Sequence, residues 1–262
     1  MRFIIMHKTD ARWEAGEIPS PELIARVGVL MGELAKAGAL QSGEGLRASA
    51  EGARLRFSGE KRDVTPGPFP GGNELPACFT ILRTESLDRA IDWASREAAA
   101  LGDVEIDVRP VTEPWDIGMM PKPAGVATRR FMALRKATAG TEAGALTSPA
   151  QRAEMAGLLG EGRRSGTVIA AETMRPSVRG RRYKNSRDGV RVTDGPFTES
   201  KELIAGYVIV KAESLEAAGR WAERYIVAVE TEEVDVRELE DAPEPMSTTY
   251  ATKATANPTN QA

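Results

Sequence analysis

The stretch Val192-Thr193-Asp194-Gly195-Pro196-Phe197 decides how this 262-residue chain is organised, because it occurs twice. Residues 64–69 read VTPGPF, 128 positions earlier, and differ at one position only. The match extends outward in both directions. Of the 39 residues in 31–69, 14 are identical to those in 159–197, where composition alone gives about two or three. Residues 74–94 and 202–222 share ten of 21. The chain therefore carries one domain twice.

The repeat predicts a first domain over residues 1–112, a linker over 113–128 and a second domain over 129–241. The tail, 242–262, is polar and is predicted to be disordered. Each half reads as strand, helix, three strands, helix and strand. Ser20-Pro21 and Ser148-Pro149 have the residue types that begin a helix, and Gly38 and Gly166 those that end one.

The strand over residues 2–7 alternates two sets of side chains. Phe3, Ile5 and His7 share one face, and Ile4 and Met6 share the other. We place the wholly apolar set against the helices, so that His7, and Arg135 in the second half, point away from them. A sheet with helices on one face must bury its other face. We therefore expect an α+β fold of two tandem βαβββαβ repeats, packed sheet to sheet.

The composition argues against several classes of protein. The formal net charge is −3 and the pI is near 5.6, whereas a nucleic-acid-binding domain is typically basic. One cysteine and one histidine cannot build a usual zinc site, and we expect no metal. No phosphate loop or dinucleotide-binding fingerprint occurs, and we expect no cofactor. Neither a signal peptide nor a membrane span is visible, so we expect a cytoplasmic protein.

His7 and Asp194 are the candidates for acid–base chemistry. His7 is the only histidine, and histidine titrates near neutral pH. It could act as acid or base in the space between the sheets, or lie hydrated at a strand end. Asp194 precedes a glycine, where an aspartate often bonds its own turn. Its carboxylate could instead face the same space as a base.

The polar positions that both halves share are candidates for a ligand clamp: Glu44 and Glu172, Arg47 and Arg175, and Arg54 and Arg182. A carboxylate on a half-apolar strand face needs a cation, and Arg54 or Arg182 on the next strand could provide it. These residues could form structural ion pairs. They could instead bind a polar or anionic ligand, because guanidinium groups suit carboxylates and phosphates. Arg135 belongs with this second possibility.

The run from Val192 to Glu202 resembles the signature of the DGPF family, within the YCII-related superfamily. The openings Arg2-Phe3-Ile4 and Arg130-Phe131-Met132 are similar to the same family. The resemblance covers about residues 1–110 and 129–240. It implies two fused ferredoxin-like units that pair through their sheets as an intramolecular dimeric α/β barrel. The chain would then be a monomer with an internal pseudo-dimer, or a homodimer of such chains.

The resemblance leaves the function open. Some relatives are small-molecule enzymes with a His–Asp pair, but this chain has Leu23 and Gln151 where the histidine is expected. Pro66 replaces the signature aspartate in the first half. We expect binding of a small polar or anionic molecule between the sheets. The alternatives are a cofactor-free lyase or isomerase using His7 and Asp194, and a regulatory module linked to sigma factors, as the genomic context of the family suggests.

Overall fold

The computed structural model describes residues 1–59, 61–69, 72, 74–102, 104–187, 189–197 and 200–241. The tail predicted to be disordered, 242–262, lies outside the described residues. The strands are β1 (Arg2–Lys8), β2 (Leu40–Gly45), β3 (Ala53–Ser58), β4 (Lys61–Pro66), β5 (Pro76–Thr84), β6 (Glu105–Pro110), β7 (Arg129–Lys136), β8 (Val168–Thr173), β9 (Gly180–Ser186), β10 (Gly189–Asp194), β11 (Ile204–Lys211) and β12 (Glu233–Glu238). The helices are α1 (Ala11–Glu14), α2 (Pro21–Lys36), α3 (Leu87–Leu101), α4 (Ala139–Glu142), α5 (Pro149–Ser165) and α6 (Leu215–Ala228).

The two helices predicted from Ser-Pro pairs begin where the sequence places them. The Ser20 side chain accepts a hydrogen bond from the backbone of Leu23, and Ser148 does the same for Gln151, each at 3.2 Å. Gly38 and Gly166 have φ of 67° and 75°, as expected for residues that end a helix. Within the described part of the chain, no helix is long and apolar enough to cross a membrane.

The strands form two six-stranded antiparallel sheets, so the α+β prediction is confirmed. The first sheet has the order β10-β9-β12-β1-β11-β2, and the second has the order β4-β3-β6-β7-β5-β8. The second sheet uses one continuous piece of chain, and we call residues 53–173 the continuous unit. The first sheet uses both ends of the chain, and we call residues 1–45 and 180–238 the split unit.

The expectation that each repeat forms its own sheet is wrong. β1 and β2 of the first repeat pair with β11 of the second, and β7 and β8 of the second pair with β5 of the first. The chain crosses between sheets after β2 and again after β8. The physical reason is the duplication itself, because each strand has two nearly equivalent partners and can exchange one for the other, as in domain swapping.

The two units repeat each other residue for residue. In the split unit Ile5 lies opposite Val208 and Val236. In the continuous unit Ala133 lies opposite Thr80 and Val108. All three positions are related by the same shift of 128 residues, so residues 128 apart occupy equivalent places in the two units.

The molecule has four layers, helix–sheet–sheet–helix, and the predicted strand faces are reversed. Phe3 and Ile5 pack under α2 and α6. Ile4 and Met6 lie between the sheets, in a cluster that also contains Phe79 and other apolar residues of both sheets. Alternation could not decide the orientation, because both faces of this strand are buried and mainly apolar. The space between the sheets, where we expected the ligand, is thus occupied by apolar side chains.

Two isolated bridges join the sheets at their corners, Leu46 with Val111 and Met174 with Leu239. In the described residues, strand pairing does not close the two sheets into one barrel. The Asp-Gly pair predicts a turn at Asp194, but the chain from Gly189 to Asp194 is strand β10. Asp194 is therefore the last residue of an edge strand and not a turn residue.

Candidate functional site

A pocket of about 470 Å³ lies between α2 and the strands of the split unit that this helix covers, and it extends past the edge strand β2 to the linker and to Arg130 of β7. Leu23, Ile24, Val27 and Met31 of α2 form one wall. The rest of the lining comes from three places: the edge strand β2 with neighbouring β11, the linker residues Pro114, Ile117 and Met119, and the polar or aromatic side chains His7, Trp13, Glu44, Arg130, Tyr207 and Tyr225. The site is mainly apolar, with polar groups at separate points.

Small residues leave this space free. β2 reads LQSGEG, so Gly43 and Gly45 bring no side chain to the lining. Position 206 on β11 must be glycine because of a close contact, since a Cβ there would lie 2.6 Å from Cε1 of His7. The imidazole of His7 therefore lies directly over the backbone of β11.

His7 lies near the end of β1, on the helix side of the sheet, and 9% of its surface is exposed. Its Nδ1 is 2.9 Å from the hydroxyl oxygen of Tyr225 on α6, and the two rings meet edge to face. Burial, and then the charge of Lys8, lower the pKa of His7 to about 4. The imidazole is therefore neutral at pH 7. Among the described residues, Nε2 has no hydrogen-bond partner.

The second polar point is the ion pair of Glu44 with Arg130. Arg130 also donates two hydrogen bonds of 2.9 Å to Glu113 of the linker. Burial raises the pKa of Glu44, although the charge of Arg130 opposes this. Arg130 thus ties the linker to the pocket wall. Arg2 of the split unit binds Glu172 of the continuous unit in the equivalent way, at 2.7 and 2.9 Å.

The cation predicted for Glu44 and Glu172 was therefore the wrong one. Arg54 and Arg182 instead bind Asp107 and Asp235, each through two hydrogen bonds. The prediction considered neighbouring strands of one repeat only. Arg130 on β7 reaches Glu44 on β2 from the other sheet, and Arg2 on β1 reaches Glu172 on β8 likewise. A reading of one repeat at a time could not show these contacts.

Of the residues proposed for the site, the structure brings only His7 and Glu44 together in this pocket. Asp194 is 75% exposed at the sheet edge and pairs with Arg181 at 2.7 Å. β10 is separated from β1 by two strands, so Asp194 and His7 do not meet. Arg47 binds Glu51, Arg175 pairs with Glu238, and neither lines the pocket. Glu172, Arg135 and Arg182 also lie outside it.

The repeated Gly-Pro-Phe run has a structural role. A Cβ on Gly195 would lie 1.8 Å from the carbonyl oxygen of Ser177, so only glycine fits there. The backbone N–H of Phe197 donates to the Ser177 hydroxyl at 3.0 Å. The Phe197 ring packs under the guanidinium of Arg182, 4.6 Å from its centre. Gly67, Ser49, Phe69 and Arg54 repeat these contacts in the continuous unit.

Sequence reasoning missed Tyr225, Arg130 and the linker as parts of the site. For Tyr225 a signal existed. His7 corresponds to Arg135 by the shift of 128 residues, and Tyr225 corresponds to Glu97, so two positions that touch each other both differ between the repeats. Residues of a shared site are expected to change together in this way.

Comparison with known proteins assigns part of the chain. Residues 130–240 match the family model of the YCII-related domain. This YCII-related domain runs from β7 to β12 and so contributes strands to both sheets. The first half of the chain repeats its structure without a match of its own. No curated protein and no solved structure gave a significant match.

Proposed function

We propose that this protein binds a small molecule in the pocket of the split unit. The observation that carries the proposal is a space of about 470 Å³ with a largely apolar wall and a neutral histidine in its lining. Ligand sites are typically concave and mainly apolar, with a few polar groups that orient the ligand. We expected a polar or anionic ligand from the sequence. The apolar wall adds to this expectation that the ligand also has an apolar body.

We further propose that the first half is a second copy of the YCII-related domain and that both copies belong to the DGPF family. Support comes from the equivalent strand registers and from the Gly-Pro-Phe contacts that occur in both units. The site then uses both copies, because β1, β2 and α2 come from the first and β11 and α6 from the second.

The test is to fill the pocket from one position on α2 and to use a second position as control. Gly28 lines the pocket and Gly32, one turn later, does not. A Cβ at either meets nothing within 4 Å, so Gly28→Trp and Gly32→Trp are matched substitutions. The probe is 8-anilinonaphthalene-1-sulfonate, which combines an apolar body with an anionic group.

We expect the probe to bind the wild type and Gly32→Trp with similar affinity and to bind Gly28→Trp at least about tenfold more weakly, a loss of 1.4 kcal/mol. Binding is read from the fluorescence of the probe and from the thermal stability that a bound ligand adds. Equal affinity for both variants, or no binding to the wild type, would reject the pocket as a ligand site.

A second candidate function is cofactor-free acid–base catalysis on the bound molecule, of the lyase or isomerase type. It is favoured by one observation: His7 is neutral and Nε2 has no partner in the described chain. A neutral imidazole in a substrate pocket can transfer a proton. Tyr225, and not Asp194, is then its partner. Conversion of a bound library compound by the wild type, lost in His7→Gln while the compound still binds, would establish it. Equal conversion by His7→Gln would reject it.

A further inference from the structure

Tyr225 presents a buried hydroxyl to the only histidine of the chain. Its side chain is 4% exposed, and burial raises the pKa of its phenol, so the hydroxyl keeps its proton. A buried O–H group needs an acceptor. In the described part of the protein, the one hydrogen-bond partner of this hydroxyl is Nδ1 of His7, at 2.9 Å.

This contact can be made in two ways, and they are not equivalent. If Nδ1 carries a proton and donates it to the tyrosine oxygen, the tyrosine proton has no acceptor inside the protein. If the tyrosine donates to an unprotonated Nδ1, the buried tyrosine proton has its acceptor, and the remaining donor is Nε2–H of His7, a residue that lines the pocket. An unsatisfied buried donor is disfavoured, so the second arrangement is preferred. A neutral imidazole with an unprotonated Nδ1 carries its proton on Nε2.

We propose that Tyr225 holds His7 as the Nε2–H tautomer and so makes His7 a hydrogen-bond donor to the molecule in the pocket. The site then selects ligands with an acceptor oxygen, a carbonyl, carboxylate or phenolate, on an apolar body. Tyr225 acts here as a positioning residue. The choice of ligand class rests on the proposed function of the pocket, whereas the tautomer does not.

The cationic side chain of the pocket lining, Arg130, is already paired with carboxylates. Arg130 is paired with Glu44 on one side and with Glu113 on the other. A ligand oxygen beside this pair competes with two carboxylates for the same guanidinium. His7 is therefore the donor on which the proposed preference for ligands with an acceptor oxygen rests.

The tautomer can be measured directly, because the chain has one histidine and ¹⁵N-histidine labelling reports on no other residue. Long-range ¹H–¹⁵N correlation spectra at pH 7 distinguish the protonated from the unprotonated ring nitrogen. We expect Nε2 protonated and Nδ1 unprotonated in the wild type, and a mixture of both tautomers in Tyr225→Phe. Tyr183→Phe is the matched control. Tyr183 is buried with its hydroxyl near α6, but it does not line the pocket, and the wild-type tautomer should persist.

The ligand class is tested with four probes on one naphthalene body: 1-acetonaphthone, 1-naphthoate, 1-naphthylamine and 1-methylnaphthalene. We expect the ketone and the carboxylate to bind the wild type about tenfold more tightly than the other two. Tyr225→Phe should reduce this preference, and Tyr183→Phe should keep it.

Each outcome separates the two proposals. A protonated Nδ1 in the wild type, or the same tautomer in Tyr225→Phe, overturns the role of Tyr225 whatever the pocket binds. The expected tautomer with equal affinity for all four probes overturns the ligand class but leaves the pocket as a binding site. Failure of all four to bind overturns the ligand class and the proposed function together.

Discussion

The split unit and the continuous unit have equivalent strands in the same register, but the space between helix and sheet differs. In the split unit His7 and Tyr225 meet at the pocket under α2. In the continuous unit these places hold Arg135 and Glu97. The pKa of Glu97 is raised by burial, while Thr80, Trp93 and Arg135 act to lower it. A hydrogen-bonded histidine and tyrosine in one unit thus correspond to an arginine and a glutamate in the other.

The helices that cover the two equivalent places, α2 in the split unit and α5 in the continuous unit, differ as well. α5 carries Gly162 where α2 carries Leu34, and the Trp93 ring packs so close that a Cβ at Gly162 would lie 2.6 Å from it. Trp221, the equivalent of Trp93, is only half-buried. Gln151 in place of Leu23 donates to the Leu101 carbonyl at 2.8 Å. One backbone therefore supports both a pocket and a filled core, and side-chain volume decides between them.

The largest expected difference between the units concerns their buried charge clusters. Asp235 binds Lys8 at 2.8 Å and Arg182 at 2.7 Å. Asp107 binds Lys136 and Arg54 in the same way. Among the described residues, the continuous unit has one more buried carboxylate in its cluster, Glu74, that also contacts Lys136 and Arg54. Within the described part of the chain, Lys8 keeps the Ser200 hydroxyl after loss of Asp235, whereas Lys136 keeps the carboxylate of Glu74 after loss of Asp107.

We therefore expect Asp235→Asn to lower the free energy of unfolding by about 3–5 kcal/mol, the usual cost of leaving a buried charge unpaired. Asp107→Asn should cost clearly less. Urea unfolding at pH 7 measures both variants against the wild type. An equal cost, or a larger one for Asp107→Asn, would show that the extra carboxylate does not compensate.

The next largest effect is a dependence of the free energy of unfolding on pH, which comes from His7 in the split unit and has no histidine counterpart in the continuous unit. In the unfolded chain histidine has a pKa near 6.5, and in the folded protein burial lowers the pKa of His7 to about 4. Between these values the unfolded state binds the extra proton, so His7 makes stability fall as the pH decreases through this window. At pH 4.5 the loss relative to pH 7 is roughly 2–3 kcal/mol.

The control for this prediction is His7→Gln, which cannot titrate. Carboxylates contribute to acid sensitivity in both proteins, and the difference between the two pH profiles isolates His7. We expect the free energy of unfolding of the wild type to fall more steeply than that of His7→Gln between pH 6.5 and 4. Parallel profiles would mean that His7 protonates equally well in the folded protein.

A third difference lies where the chain crosses between the sheets. Arg109 and Arg237 each donate from Nε and Nη2 to a carbonyl of a crossing segment, Arg47 and Arg175 respectively. Nη1 of Arg109 also donates to the Ile204 carbonyl at 2.6 Å. Nη1 of Arg237 is buried and has no hydrogen-bond partner among the described residues. The split and continuous units are thus joined by one fully bonded arginine and one partly bonded arginine.

Replacing Arg109 with methionine should therefore cost more stability than the same change at Arg237, by about 1–3 kcal/mol, the cost attached to an unsatisfied buried group. Both variants lose an ion pair with an equivalent glutamate, Glu14 or Glu142, and this loss cancels in the comparison. Denaturant unfolding of the two variants measures the difference. A larger cost at Arg237 would contradict the hydrogen-bond count.

The sequence predicted the α+β class and the helix starts, because these depend on local residue types such as Ser20-Pro21 and on the repeat. It could not predict which sheet each strand joins, since β5 and β11 are equivalent partners for β1. It also could not orient β1, whose two faces are both buried. For the site, His7 was found from its chemistry, but its partner Tyr225 lies 218 residues away along the chain. It reaches His7 only through the strand exchange.

The smallest expected effect tests the helices themselves. Gly28→Ala in α2 adds a methyl group that meets nothing within 4 Å, and Ala156 already occupies the equivalent place in α5. Alanine in a helix is favoured over glycine by about 0.5–1 kcal/mol, so this variant should be more stable than the wild type. Gly162→Ala should be less stable, because its Cβ would lie 2.4 Å from the Val168 side chain. Thermal unfolding of the two variants measures both signs. Higher thermal stability of Gly162→Ala would mean that α5 can move away from its sheet as freely as α2. Tight packing at Gly162 would then not explain why the space under α5 is filled.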